Sequence, residues 1–186
     1  RRLTGGRAIL HDVEVTYSLV IPEDHPLVPR GITESYRIIS EGLVRGLEIL
    51  GLDARMTTPS RYARRRQNER ETISSPACFD APSWYEITID GKKVVGSAQV
   101  RKCGALLQHG SIPLELDAEK LFTVLHFPNE TMRERAKRVF LANATSVRDA
   151  LRSPVSFLEL SDALLAGLEE TLPIRFVEGE LTEEEL

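Results

Sequence analysis

The sequence predicts a single α+β domain in which a mixed, mostly antiparallel sheet packs against helices. Three observations predict this fold class. Residues 84–98 have the pattern of a β-hairpin turned at Asp90-Gly91, whereas residues 33–50 and 156–172 repeat apolar side chains at helical spacing. With 186 residues, of which 41% are hydrophobic, the chain is long enough to bury one substantial core.

The first third of the chain is predicted to contain strands, a loop and a helix. Residues 7–21 hold two strand-like runs separated by His11-Asp12. Residues 22–31 contain three prolines and a glycine and are therefore predicted to form a loop. In the helix that follows, Thr33 is expected to be the N-cap, and Gly51 is placed to end the helix.

The part of the chain after residue 98 is predicted to be a second strand pair followed by helices. The pair covers residues 105–108 and 111–116 and turns at His109-Gly110. The later elements are predicted as helices at 131–142 and 156–172, a short strand at 174–177, and a final helix starting at Thr182, with Glu185 as its capping-box partner.

Composition excludes several classes of protein. The net charge of −4 and the ordinary share of apolar residues fit neither a disordered nor a polyanion-seeking chain, and no apolar run is long enough to cross a bilayer. The four histidines are dispersed, so we expect no metal site. Two cysteines are too few for a secreted disulfide scaffold, and we expect a reduced, cytoplasmic protein.

A flexible, basic surface loop is predicted at about residues 57–76. Its arginines are Arg61, Arg64, Arg65, Arg66 and Arg70. Such a loop is most often a solvated segment, although its charge would also attract acidic carrier proteins. The arginines are not regularly interleaved with aromatic residues, which disfavours binding to nucleic acid.

Cys78 follows this loop directly and is the first candidate for chemistry. A free cysteine is usually a small buried hydrophobe, and Cys103 fits that description or a surface position. Cys78 differs because the predicted hairpin could bring Lys93 close to it. An ammonium group favours the thiolate, which is the reactive form of a thiol whose ordinary pKa is about 8.5. A solvated lysine beside a turn would show the same spacing.

Three further segments are candidates for substrate binding. Adjacent Gly5 and Gly6 would let the backbone approach a ligand closely, and the neighbouring Arg2 would suit an anionic group. The small residues of the run 96–98 are poor strand formers and fit a place where a ligand or another backbone passes. His11, like His109, could act as an acid or base. A surface turn, a crowded packing contact and histidines satisfied within turns would explain the same residues.

These segments together resemble the biotin/lipoate protein ligase and transferase superfamily. Residues 1–12 with 14–18 look like its lipoyl-binding signature, residues 93–99 like its lysine-containing strand, and residues 107–112 like a third motif. Residues 77–86, which include Cys78, are most similar to the cysteine segment of the octanoyltransferases of Gram-positive bacteria. The chain begins without a methionine, in what looks like the middle of the first motif. We therefore expect residues 1–186 to be a single acyltransferase catalytic domain without its N-terminal portion.

The resemblance implies a biotin/lipoate protein ligase-like fold and a specific reaction. Cys78 would be the nucleophile and Lys93 the group that lowers its pKa. An octanoyl group would pass from octanoyl-acyl carrier protein to Cys78, and then to a lysine of a lipoyl domain or of the glycine-cleavage H protein. The residues expected to bind substrate are Arg2, Gly5, Gly6, His11, Gly96, Ser97 and Ala98. The same resemblance implies no cofactor and no metal, and we expect a monomer that binds neither nucleic acid nor membrane.

Three alternatives remain at this point. An ATP-dependent lipoate-protein ligase would share the fold and Lys93, and a lipoyl amidotransferase would share a cysteine nearby. A non-enzymatic relative would bind the acyl carrier without turnover.

Overall fold

The computed structural model describes residues 8–57 and 85–183 and confirms the predicted α+β class. The strands are β1 (Glu14–Pro22), β2 (Ala54–Thr57), β3 (Glu86–Ile89), β4 (Lys92–Lys93), β5 (Gly96–Lys102) and β6 (Ala105–Pro113); the helices are α1 (Ile32–Ile49), α2 (Ala118–Val124), α3 (Glu130–Asn143), α4 (Val147–Leu151) and α5 (Phe157–Thr171). All strand pairs within the two sheets are antiparallel. Residues 58–76 of the predicted basic loop lie outside the described residues.

The larger sheet has the strand order β1-β6-β5. Its β5–β6 turn is formed by Cys103 and Gly104, with φ values of 54° and 75°. The prediction of a turn at His109-Gly110 was therefore wrong, because both residues lie within the continuous strand β6. Gly110 serves a different purpose there: a Cβ on it would come within 2.6 Å of the Tyr17 ring on β1. The glycine permits close packing between neighbouring strands instead of a reversal of the chain.

The smaller sheet has the order β2-β3-β4 and contains the predicted hairpin. Asp90 and Gly91 form its turn with φ values of 49° and 76°, as a two-residue type I′ turn requires. The predicted return strand was too long, because β4 ends at Lys93 and residues 96–98 belong to the larger sheet. The buried residues Val94 and Val95 connect the two sheets through the core.

Strand β1 and helix α1 differ from the sequence prediction at their starts. A single strand, Glu14–Pro22, replaces the two runs that were predicted on either side of His11-Asp12. The predicted loop after it is confirmed over residues 23–31. The N-cap of α1 is Gly31 and not Thr33. The helix ends as predicted at Gly51, whose φ of 87° suits a glycine.

Helices α1 and α5 pack against each other through glycines. A Cβ on Gly167 of α5 would come within 2.2 Å of the Gly46 backbone nitrogen and 2.5 Å of the Gly42 carbonyl oxygen on α1. The close approach buries the apolar face of α1, including Leu43 and Leu47, against the sheets. Complete burial of one such side chain contributes about 1.5–3 kcal/mol relative to exposure.

The C-terminal helices are mostly those that the periodicity predicts. Helix α3 begins at an Asn129 cap, and α5 has a full capping box between Ser156 and Glu159. The sequence reading missed the short helices α2 and α4. The strand predicted at 174–177 was wrong, because this segment has no regular secondary structure. The predicted capping box at Thr182 and Glu185 extends outside the described residues.

Candidate active site

The two faces of the larger sheet separate its polar residues into two groups. Successive side chains of a strand point to opposite faces. On β6, His109 lies opposite Ser18 of β1 and Ala98 of β5, while Ser111 lies opposite Thr16 and Gly96 in the same way. These residues therefore share one face. The intervening residues Tyr17, Ser97 and Gly110 point to the other face, toward the core.

A pocket of about 480 Å³ lies on the face that carries His109 and Ser111. Its lining includes Ile9, His11, Thr16, Ser18, Leu107, His109 and Ser111. Hydroxyl and imidazole groups thus stand beside two aliphatic side chains. A pocket of this character can hold an apolar ligand with a reactive polar end.

Glu14 connects two of the polar groups at this pocket. It contacts Nδ1 of His11 with one carboxylate oxygen and accepts a hydrogen bond from the Ser111 hydroxyl with the other. The Glu14 side chain is only 7% exposed, whereas that of His11 is 62% exposed. A buried carboxylate therefore holds an accessible imidazole at the edge of the pocket.

Lys93 lies at the end of β4, three residues before Gly96. Its ammonium is 2.9 Å from Oε1 of Glu86, and both side chains are buried. The hairpin register sets this pair, since Lys93 lies opposite Thr88 and Glu86 is two residues farther along the same face of β3. The backbone carbonyl of Lys93 accepts a hydrogen bond of 2.9 Å from the Thr145 amide, which ties β4 to the segment after α3.

Ser97 was predicted to bind substrate, but its side chain faces the core. The Tyr17 hydroxyl donates to Ser97 Oγ at 2.7 Å, and Gln108 Nε2 donates to the Tyr17 hydroxyl at 3.1 Å. Burial raises the pKa of Tyr17 to about 12, against the opposing effect of its hydrogen bonds with Ser97 and Gln108. Ser97 thus belongs to a hydrogen-bond network beneath the pocket, while Gly96 and Ala98 are on the pocket side of β5.

The remaining predicted site residues cannot be placed in this arrangement. Cys78, Arg2, Gly5 and Gly6 lie outside the described residues, so their roles stay predictions. Within the described ranges 8–57 and 85–183, no group of histidine, cysteine, aspartate and glutamate side chains could hold a metal ion. None of the helices in those ranges is long and apolar enough to cross a membrane.

The sequence reading missed two carboxylates, Glu14 and Glu86, and the hydroxyl of Ser111. A signal existed for Glu14 and Ser111. In β1 the polar residues at positions 14, 16 and 18 alternate with apolar ones, which places them on one face. Ser111 is two residues from His109 and so shares its face. In β3, Glu86 and Thr88 also alternate with isoleucines, but this pattern predicts a solvent-facing side for Glu86, whereas all four residues of the strand are buried.

Comparisons with known proteins agree with this architecture. Residues 1–169 match the lipoyl protein ligase A/B catalytic domain. The octanoyltransferase LipM of Kyrpidia tusciae is 54% identical over 185 residues, which are 100% of this chain and 66% of that protein. The chain therefore spans slightly less than two thirds of the length of this relative.

Two solved structures share the fold over the entire chain. A bipartite lipoate protein ligase from Thermoplasma acidophilum superposes with a TM-score of 0.76 at 30% identity, and 62% of that chain is covered. Lipoate-protein ligase A bound with ATP superposes with a TM-score of 0.69 at 31% identity, and 63% of it is covered. From the match over residues 1–169 and these similarities, the chain belongs to the lipoyl protein ligase A/B catalytic domain family.

Proposed function

We propose that the protein transfers an octanoyl group from octanoyl-acyl carrier protein to a lysine of a lipoyl domain or of the glycine-cleavage H protein. The observation that carries this proposal is the 54% identity with an octanoyltransferase along the whole chain, compared with 30–31% for the lipoate ligases of known structure. The reaction is a step of lipoate biosynthesis. We further propose that the protein acts as a cytoplasmic monomer.

In the first step, the Cys78 thiolate attacks the carbonyl carbon of the octanoyl thioester. The bond to the carrier's sulfur breaks, the carrier leaves as a thiolate that takes up a proton from solvent, and the acyl group remains on Cys78. Lys93 supports this step, since a neighbouring ammonium stabilises the thiolate and lowers the pKa of the Cys78 thiol. Backbone amides at Gly5 and Gly6 are candidates for binding the oxyanion.

The geometry of Lys93 suits an activating role. A buried ammonium is weakly screened by solvent, so its effect on a nearby thiolate is larger than at the surface. Glu86 fixes its position at 2.9 Å. An ammonium has three donor hydrogens, so a bond to Glu86 is compatible with a second bond to sulfur.

In the second step, a lysine of the acceptor protein attacks the Cys78 thioester and receives the octanoyl group as an amide. The pocket of about 480 Å³ beside His11 and His109 is the candidate site for this exchange. Its aliphatic residues Ile9 and Leu107 suit the acyl chain, at about 0.8 kcal/mol per buried methylene.

The ATP-dependent ligase reaction is the second candidate. The argument for it is the similarity to lipoate-protein ligase A, whose structure contains bound ATP, but the identity of 31% is well below the 54% with the octanoyltransferase. A ligase would form an acyl-adenylate and would keep its activity when Cys78 is replaced by serine. The lipoyl amidotransferase differs in its donor, which is a lipoyl domain in place of acyl carrier protein.

The test is the direct detection of the intermediate. The protein is incubated with octanoyl-acyl carrier protein without ATP, and the tryptic peptides are analysed by mass spectrometry. We expect an octanoyl adduct on Cys78 that hydroxylamine removes. The matched control is Cys103→Ser, which removes the exposed turn cysteine and should leave the adduct intact.

Three outcomes would contradict the proposal. Transfer that requires ATP and survives Cys78→Ser would indicate the ligase. An adduct formed from an octanoylated lipoyl domain, with none formed from the acyl carrier protein, would indicate the amidotransferase. Binding of the carrier protein without any adduct or turnover would indicate a non-enzymatic relative.

A further inference from the structure

Glu14 occupies an unusual position for a carboxylate, because its side chain is only 7% exposed and contacts two residues that line the pocket, His11 and Ser111. Its side chain lies between two elements that are distant in sequence: it contacts His11 just before β1 and Ser111 on β6. Burial of a carboxylate is costly unless hydrogen bonds satisfy it. The contacts with His11 and Ser111 supply those hydrogen bonds. The buried Glu14 carboxylate is therefore fully stabilised only when the His11 ring is oriented toward it.

The contact with His11 is made at Nδ1, which determines the tautomer of the ring. A carboxylate can only accept a hydrogen bond, so Nδ1 of His11 carries the proton that it donates to Glu14. In a neutral imidazole the other nitrogen, Nε2, then has a lone pair. The His11 ring lines the pocket. An imidazole held by a carboxylate in this way is arranged to accept a proton from a group in the pocket.

We propose that Glu14 is a positioning residue that fixes His11 as the general base for the acceptor lysine in the second step. This inference rests on the proposed octanoyl transfer and adds a role that Lys93 does not supply. An acceptor lysine is an ammonium at neutral pH and cannot attack a thioester until it loses a proton. Lys93 is itself a cation in an ion pair with Glu86 and is not suited to accept that proton.

In this second step the acceptor lysine loses two protons, one to His11 and one to the sulfur of Cys78. Nε2 of His11 takes one proton from the lysine ammonium, and the neutral amine attacks the carbonyl carbon of the Cys78 thioester. The carbon–nitrogen bond forms, the carbon–sulfur bond breaks, and its electron pair leaves with sulfur. The second proton of the attacking nitrogen passes to this sulfur, which restores the thiol. The imidazolium of His11 then releases its proton to solvent.

His109 lines the same pocket, but the contact with Glu14 distinguishes His11 from it. Several other charged groups are next to His11 in sequence or line the smaller cavity that Glu14 also lines. Asp12 is held by Lys120 of α2 at 2.7 Å, and Glu115 and Asp117 line the smaller neighbouring cavity, where Glu115 pairs with Arg148 of α4. Both Asp12 and Glu115 are thus committed to cations, whereas the contacts of Glu14 are with His11 and Ser111.

The test separates the two chemical steps in the full chain. Octanoyl-acyl carrier protein first loads Cys78, and a lipoyl domain is then added in a single turnover. For Glu14→Gln we expect loading within twofold of the unsubstituted protein and transfer to the lipoyl domain slower by at least about tenfold, since a positioned base contributes on the order of 10²–10⁴. The matched control is Glu115→Gln, a nearby carboxylate outside the proposed machinery, which should change neither rate.

Two further measurements distinguish positioning from a general structural role. Heteronuclear NMR of the histidine side chains should show His11 protonated at Nδ1, with the population shifting toward Nε2 in Glu14→Gln. The double variant Glu14→Gln/His11→Gln should transfer no more slowly than His11→Gln alone, because both changes remove the same function.

The outcomes separate this inference from the function on which it rests. If Cys78 is not loaded in the unsubstituted protein, the proposed octanoyl transfer fails and with it the role of Glu14. If loading proceeds but Glu14→Gln transfers at the normal rate, or slows both steps equally with an unchanged His11 tautomer, only the positioning role is overturned.

Discussion

The Lys93 ammonium and the Glu86 carboxylate form an ion pair of 2.9 Å in which the two side chains are 5% and 2% exposed. The pair lies on a two-strand hairpin, so residues seven positions apart in sequence are brought together by a tight turn. The pair matters both for the stability of the fold and for the proposed activation of Cys78. Neither charge is tolerated at this depth without a partner, and the ammonium is the group proposed to activate Cys78.

Removal of Glu86 should therefore destabilise the protein strongly. Glu86→Ala leaves the Lys93 ammonium buried without its carboxylate, and we expect the free energy of unfolding to fall by about 3–5 kcal/mol. Denaturant titration measures this. The control is Glu119→Ala, which breaks the exposed pair with Lys137 and should cost much less. Equal losses for the two variants would contradict a special role for burial.

Loss of Lys93 should raise the pKa of the Cys78 thiol toward its ordinary value. The pH dependence of alkylation, measured in a Cys103→Ser background, reports this pKa. The double variant Lys93→Met/Glu86→Gln removes the ammonium without leaving a buried carboxylate alone. The matched control is Lys92→Ala, whose exposed side chain donates to the Leu141 carbonyl at 3.3 Å and should have no effect. An unchanged midpoint in the double variant would remove Lys93 from the mechanism.

Gly167→Ala should destabilise the protein although it improves helix propensity. Alanine is favoured over glycine in a helix by up to about 1 kcal/mol. Its Cβ, however, would meet backbone atoms of Gly46 and Gly42 at 2.2 and 2.5 Å, and backbone cannot move aside as a flexible side chain does. We expect a net loss of about 1–3 kcal/mol in thermal or denaturant unfolding. Gly179→Ala, which meets no atom within 4 Å, is the control.

Stability should fall at high pH because of Tyr17. Its pKa in the folded protein is about 12, raised by burial from an ordinary value of 10.0. The folded state therefore holds the phenol proton more tightly than the unfolded state does. This difference in pKa stabilises the folded state fully below pH 10. As the pH rises from 10 toward 12 the stabilisation is lost, and the free energy of unfolding falls by about 2–3 kcal/mol.

Tyr17→Phe isolates this effect from other groups that titrate at high pH. Phenylalanine has no phenol to ionise. The free energy of unfolding of the Tyr17→Phe variant should therefore change less between pH 10 and 12 than that of the unsubstituted protein. At neutral pH the variant should be less stable by about 1–3 kcal/mol, because Ser97 and Gln108 lose a buried partner. Parallel curves for the two proteins would show that Tyr17 does not titrate in this range.

The sequence was most informative where structure depends on neighbouring residues. Asp90-Gly91 predicts its turn because these residue types adopt positive φ, and the capping residue Ser156 marks the start of α5. The same reasoning failed at His109-Gly110. A glycine that permits a turn and a glycine that permits close strand packing have the same local pattern, and only the position of Tyr17 on β1 distinguishes them.

In the candidate site, too, some features follow from the sequence and others depend on tertiary contacts. The sequence by itself determined the fold class and the family resemblance, and it predicted Cys78, Lys93 and His11 as candidates for the chemistry. The tertiary structure alone decided that Glu86 holds Lys93, that Glu14 joins His11 to Ser111, and that Ser97 faces the core. Each of these depends on which strands pair and in which register, and a shift of one residue would move every side chain to the opposite face. Strand pairing is fixed by the burial of the whole core, which no local pattern contains.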